Sequence, residues 1–141
     1  MKSLSGAFFK SKKNSQPEPV GSNELLARFI FDRKYIRKVP PAIKYNTFLP
    51  NPDNGQVSVF RKGKMSNEDY NGVKKKVEGI RGREMKGTAL IGVTEVNNTG
   101  VRVKPEESEY FWHADIEGWP LDKNEVMSIA QQIAAKATLE Q

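Results

Sequence analysis

The stretch QVSVFRKGKMSNEDYNGVKKKVEGIRG, residues 56–82, changes its period halfway along, and that change decides the fold class. Its first part alternates. Val57, Val59 and Arg61 fall on one side and Ser58, Phe60 and Lys62 on the other, the two-residue repeat of a strand. From Ser66 the repeat lengthens to that of a helix. Ser66 and Asp69 have the spacing of a capping box, and Met65 and Tyr70 sit at the two positions of a hydrophobic staple. Tyr70, Val73, Val77 and Ile80 then recur at helical spacing, and Gly79 and Gly82 end the segment. The spacing predicts a strand at 56–62 followed by a helix at about 66–80, with Lys74, Lys75 and Lys76 on its outer face.

Upstream, Asp53-Asn54-Gly55 reads as a turn, which predicts a hairpin between a short strand at 43–48 and the strand at 56–62. Pro40, Pro41, Pro50 and Pro52 exclude a long helix between 39 and 55. ELLARFIF, residues 24–31, fits both periods; its aromatic and β-branched residues favour a strand over 25–31. Residues 1–22 are rich in Lys, Ser, Pro and Asn and read as a disordered basic arm ahead of a single domain at 23–141. Downstream, KGTALIGVTEV predicts a strand near 87–96, NNTG a turn, and VRVK and EYFWHADIEGW two further strands. PLDKNEVMSIAQQIAAKATL predicts a second helix at about 122–138. Asp122 is its cap and Val126, Ile129, Ile133 and Ala137 its buried stripe. Strands interleaved with two helices define an α+β domain: a largely antiparallel sheet with the helices packed on it, most simply on one face.

The chain has 141 residues, one histidine and no cysteine, so disulfides, thiol nucleophiles and cysteine-rich zinc sites are excluded. No apolar run reaches the roughly 18 residues of a membrane span, and AFF gives way to KSKK where a signal peptide would continue. A cytoplasmic protein is expected. Charge is lopsided. Residues 1–65 hold thirteen Lys/Arg against four Asp/Glu, a net of +9. Residues 101–141 hold four against eight, a net of −4. A polyanion facing the first half is the partner such a balance suits, and a basic protein could face the last third.

Two constellations bear on function. Arg28, Arg33, Lys34, Arg37, Lys38, Arg61, Lys62, Lys74 and Lys75 are cations interleaved with Phe29, Phe31, Tyr35, Tyr45 and Phe48. That mixture suits phosphates and unstacked bases. The second is YFWHADIEGWP, residues 110–120. A strand there places His113, Asp115 and Glu117 on one face at about 7 Å intervals. The same face could bear a carboxylate-rich metal site, but solvated polar alternation is the commoner reason for such a pattern, and neither a metal nor a cofactor is expected. No phosphate-cradling loop, dinucleotide fingerprint or H-E-x-x-H motif is present.

LARFIF (26–31), VSVFR (57–61) and HADIEGWP (113–120) together resemble a family of small bacterial proteins with a late H-A-x-I-x-G-W-P segment. The resemblance spans about residues 25–139 and brings no fold or activity with it. It leaves Asp115 and Glu117 at variable positions and His113 and Trp119 at fixed ones, which weakens the metal reading. A Gly-Trp-Pro corner pinning the last helix, with His113 hydrogen-bonding across it, is the structural alternative.

The leading functional expectation is a small non-enzymatic binding protein whose basic N-terminal half contacts nucleic acid or a nucleoprotein assembly. It could serve as an accessory subunit of a bacterial defence or mobile-element system. One alternative is a metal-independent nuclease or toxin with His113 as general base. Another is a protein–protein adaptor or inhibitor working through the acidic C-terminal third.

Overall fold

A computed structural model describes residues 16–141. Its centre is a six-stranded sheet in which every neighbouring pair is antiparallel. The strands are β1 (Leu25–Ile30), β4 (Val57–Phe60), β5 (Gly87–Gly92), β6 (Arg102–Pro105), β7 (His113–Glu117) and β8 (Thr138–Glu140). They lie in the order β6-β7-β4-β1-β5-β8. A separate two-stranded ribbon pairs β2 (Ile36–Lys38) with β3 (Pro41–Ile43). Among the described residues, three helices complete the α+β fold: α1 (Asn67–Arg81), α2 (Val93–Asn97) and α3 (Lys123–Lys136).

Both expected helix starts form as capped ends. The Ser66 hydroxyl accepts from the Asp69 amide at 3.1 Å, and the Asp122 carboxylate from the Glu125 amide at 3.0 Å. Each satisfies one of the amides a helix start leaves unpaired. α1 stops at Gly82, whose φ of 65° is left-handed and suits glycine.

The alternation of β4 decides what each sheet face buries. Val57 and Val59 join Leu26, Ile30, Ile91, Ala114 and Ile116 on one face. Against them pack Phe48, the α2 valines Val93 and Val96, and Ala130, Ile133 and Ala134 of α3. Fully burying each large aliphatic or aromatic side chain contributes about 1.5–3 kcal/mol, so this layer is the main core. The opposite face carries Phe29, Ser58, Phe60, His113 and Asp115, and α1 covers only part of it. Tyr70 and Val73 of α1 are buried. Val77 is half-buried and Ile80 is 66% exposed, so the apolar stripe runs off the sheet toward the helix end. The two long helices therefore lie on opposite faces rather than one.

Three local expectations are corrected. The hairpin of 43–48 with 56–62 does not form, because β4 is enclosed by β1 and β7. β3 pairs with β2 instead, and Tyr45–Phe48 is a 3₁₀ turn that drives Phe48 into the core. The strand at 87–96 stops at Gly92, opposite Leu25 at the start of β1. With no partner strand beyond that point, Val93 and Val96 reach the core at helical spacing instead. The basic arm is tied down earlier than residue 23. Val20 packs on the core, and the Ser22 carbonyl accepts from Thr94 Oγ1 at 2.6 Å. Residues 1–15 of that arm lie outside the described residues. Among the described residues, no helix is long and apolar enough to cross a membrane.

Candidate functional site

The uncovered part of the second sheet face is a groove of about 530 Å³. β1, β4 and β7 form its floor, the C-terminal half of α1 one wall, and the 106–110 loop the other. Aromatic rings make its centre. Phe29 stacks on Phe60 with centroids 5.1 Å apart, and Tyr110 and His113 meet Phe60 edge-on at 5.5 and 5.2 Å.

One pole of the groove is cationic. β1 and β4 are paired at Ala27 opposite Phe60, and Arg28 enters the gap where they part. Its Nη1 donates to the Ser58 carbonyl at 3.0 Å and its Nε to the Thr47 carbonyl at 3.1 Å. The guanidinium thus takes the place of the ladder bonds the two strands do not make. Burial, with Arg81 beside it, pushes Arg28 down to about 10, so it remains a cation at neutral pH. It forms no ion pair among the described residues. Arg81 lies 4.6 Å over the Phe31 ring at the same end.

The other pole is polar and acidic. His113 Nδ1 faces two acceptors of Glu106, the carbonyl at 2.8 Å and carboxylate Oε1 at 3.1 Å. Two acceptors facing Nδ1 require it to carry a proton. Asp115 is buried yet lines the groove. Burial pushes its carboxyl up; His113 and a bond from Ser58 act the other way, and Glu106 and Glu117 add to the rise. Glu106 itself is held low. Burial opposes this, but the Ser108 hydroxyl and amide and the nearby His113 outweigh it. Trp112, immediately before His113, has a φ of 64°, an uncommon conformation for a bulky residue. It is pinned there by its amide bond to Glu107 at 2.8 Å and its carbonyl bond from the Arg61 amide at 2.7 Å.

The cations expected from sequence divide into four groups. Arg28 is in the groove. Arg61 is wholly buried, which removes it as a nucleic-acid contact. Its guanidinium makes a two-pronged pair with Glu24 at 2.9 and 2.7 Å and donates to the carbonyls of Glu18 and Pro19 at 2.7 and 3.0 Å. Lys62 and Lys74 each lie 4.8 Å from the Tyr70 ring, whose hydroxyl donates to Glu140 at 2.8 Å. Arg33, Lys34, Arg37, Lys38 and Lys75 are exposed.

His113, Asp115 and Glu117 do share a strand face, but Glu117 turns to Arg102 at 3.4 Å. Among the described residues no three His, Asp or Glu side chains gather as a metal site. Nor does His113 bond across the Trp119 corner: Trp119 Nε1 donates to the Ile116 carbonyl at 3.0 Å, while His113 is held by Glu106. The alternation of 56–62 set Ser58 and Phe60 on the strand face opposite Val57 and Val59, but not at a site. Glu106 and Tyr110 carry no such signal, because they come from a loop. Compared with protein-family models, curated proteins and solved structures, the chain matches none.

Proposed function

We propose that this protein binds single-stranded nucleic acid in the groove between α1 and β7. The observation that carries the reading is the groove's polarity: Arg28 and Arg81 at one end, an aromatic centre, and hydrogen-bond acceptors at the other. A nucleotide unit has the same order, with an anionic phosphate, a flat ring and a base edge bearing N–H donors. Guanidinium groups suit phosphate oxygens, and ring faces and edges suit unstacked bases. The exposed Arg33, Lys34, Arg37 and Lys38 would add weaker phosphate contacts along the strand's path.

Four carboxylates lie on or beside the His113 end of the groove: Glu106, Glu109, Asp115 and Glu117. They disfavour holding a phosphodiester against His113, which places the binding reading ahead of the nuclease. Fluorescence anisotropy of a labelled mixed-sequence oligonucleotide, followed from 50 to 200 mM salt, tests it. Two phosphate contacts predict a loss of affinity of about sevenfold over that range. Salt-independent binding, or no binding to RNA or DNA, would contradict it.

A further inference from the structure

We infer that the acidic pole of the groove reads guanine, with Asp115 accepting hydrogen bonds from the base edge. The inference rests on the groove taking a nucleotide strand and adds which base it prefers.

Asp115 lies at the acidic end of the groove. Strand pairing sets it opposite Ser58 on β4 and Lys104 on β6, two residues along from His113. Ser58 gives it one hydrogen bond. No ion pair to Asp115 is present among the described residues. Glu106 and Glu117 nearby share its sign and act against its charged form, whereas His113 favours it. A largely buried carboxylate that lines the groove has room for further donors on its groove side, and donors are what a ligand there would supply.

Guanine fits that need better than the other bases. Its pairing edge carries two adjacent donors, N1–H and the N2 amino group, which match the two oxygens of one carboxylate. Adenine and cytosine each offer one donor beside an acceptor, and uracil or thymine offers one donor between two acceptors. A carboxylate facing any of these meets at least one lone pair, a repulsive contact. His113 and Tyr110 border the same end, so the base can lie against the aromatic centre while Asp115 meets its edge.

The test uses the full chain and six labelled single strands compared by anisotropy at one salt concentration: oligo-A carrying one central guanine, the same strand with inosine, the same with adenine throughout, a uracil-substituted control, and DNA versions of the guanine and all-adenine strands. A two-pronged base contact predicts about 5- to 150-fold tighter binding of the guanine strand than of the all-adenine strand. Inosine, which keeps N1–H and lacks the amino group, should fall between them. The guanine preference should hold in DNA as in RNA, because the base edge is the same. Asp115→Asn should bring the guanine and adenine strands to within about twofold, by weakening the guanine strand and relieving the repulsion of adenine. The inosine series needs no variant and so stands even if Asp115→Asn unfolds the protein. Equal binding of all strands would overturn the guanine assignment and leave the binding reading intact. A guanine preference that survives Asp115→Asn would overturn the role of Asp115. No binding to any strand would overturn both readings together.

Discussion

Arg61 has no exposed surface, and its guanidinium makes four hydrogen bonds, two to Glu24 and one each to the carbonyls of Glu18 and Pro19. A buried charge held this way is costly to strand. Arg61→Ala should lower unfolding free energy by about 3–5 kcal/mol in urea titrations, because it leaves the Glu24 carboxylate buried and unpaired. Glu24→Gln should cost less at acidic pH than at neutral pH, for a reason that follows from linkage. Burial acts to raise the Glu24 carboxyl, but the bonds from Arg61 and the Gly21 amide and the charges of Arg61 and Lys64 hold it below the usual range. A depressed carboxyl contributes stability that is fully present above its unfolded pKa and is lost as pH falls through the folded value. The acid limb of the wild-type stability curve should therefore be steeper than that of Glu24→Gln. Gly118 supplies a second residue-scale test. Its φ is 85°, and an added Cβ would lie 2.8 Å from Arg102 Nη1. Since that arginine tip can move, the backbone strain dominates, and Gly118→Ala should cost about 1 kcal/mol in the same assay. At this scale little of the site was readable beforehand. Arg61 stands in RKGK like any surface cation, and its burial depends on Glu24, which lies 37 residues away.

Secondary-structure elements were the most legible level, because period and capping are local properties. The switch from alternation at Val57–Phe60 to helical spacing at Tyr70, Val73 and Val77 placed β4 and α1 correctly. Removing either cap tests that logic. Ser66→Ala and Asp122→Ala should each lower stability by about 1 kcal/mol, measured by urea denaturation followed by circular dichroism. Expectation failed where partner strands, rather than local pattern, decided the outcome. The apolar run at 87–96 is half strand and half helix because the β1 partner begins only at Leu25. Tyr70 links α1 to the edge strand β8 through Glu140. Burial and the Glu140 carboxylate both push the Tyr70 hydroxyl above its ordinary range. The unfolded chain then loses that proton first as pH rises, so stability should fall above about pH 10. Tyr70→Phe should flatten this alkaline limb, and a limb unchanged by the substitution would contradict the assignment.

Over the whole molecule, the groove exists because two layers are unequal. α3, α2 and the turn at Tyr45–Phe48 seal one face of the sheet, whereas α1 covers part of the other and leaves Phe60, His113 and Asp115 bordering a groove. That asymmetry could not be read from the chain, since both helices have equally plain apolar stripes. Charge was read in outline, as a basic first half, but its working geometry was not. Arg28 gains its place from the splaying of β1 and β4, and Arg81 from the end of α1. The site is assembled from four parts of the chain brought together only by folding. The most direct measurement of the central claim compares Arg81→Glu with Lys75→Glu for single-stranded RNA binding by anisotropy at fixed salt. Both change one exposed cation on α1 by the same amount, but only Arg81 borders the groove. Arg81→Glu should lose about tenfold or more in affinity, as for a charge-assisted phosphate contact, and Lys75→Glu should change it by about threefold or less. Equal losses from the two variants, or a larger loss from Lys75→Glu, would contradict the groove as the binding site.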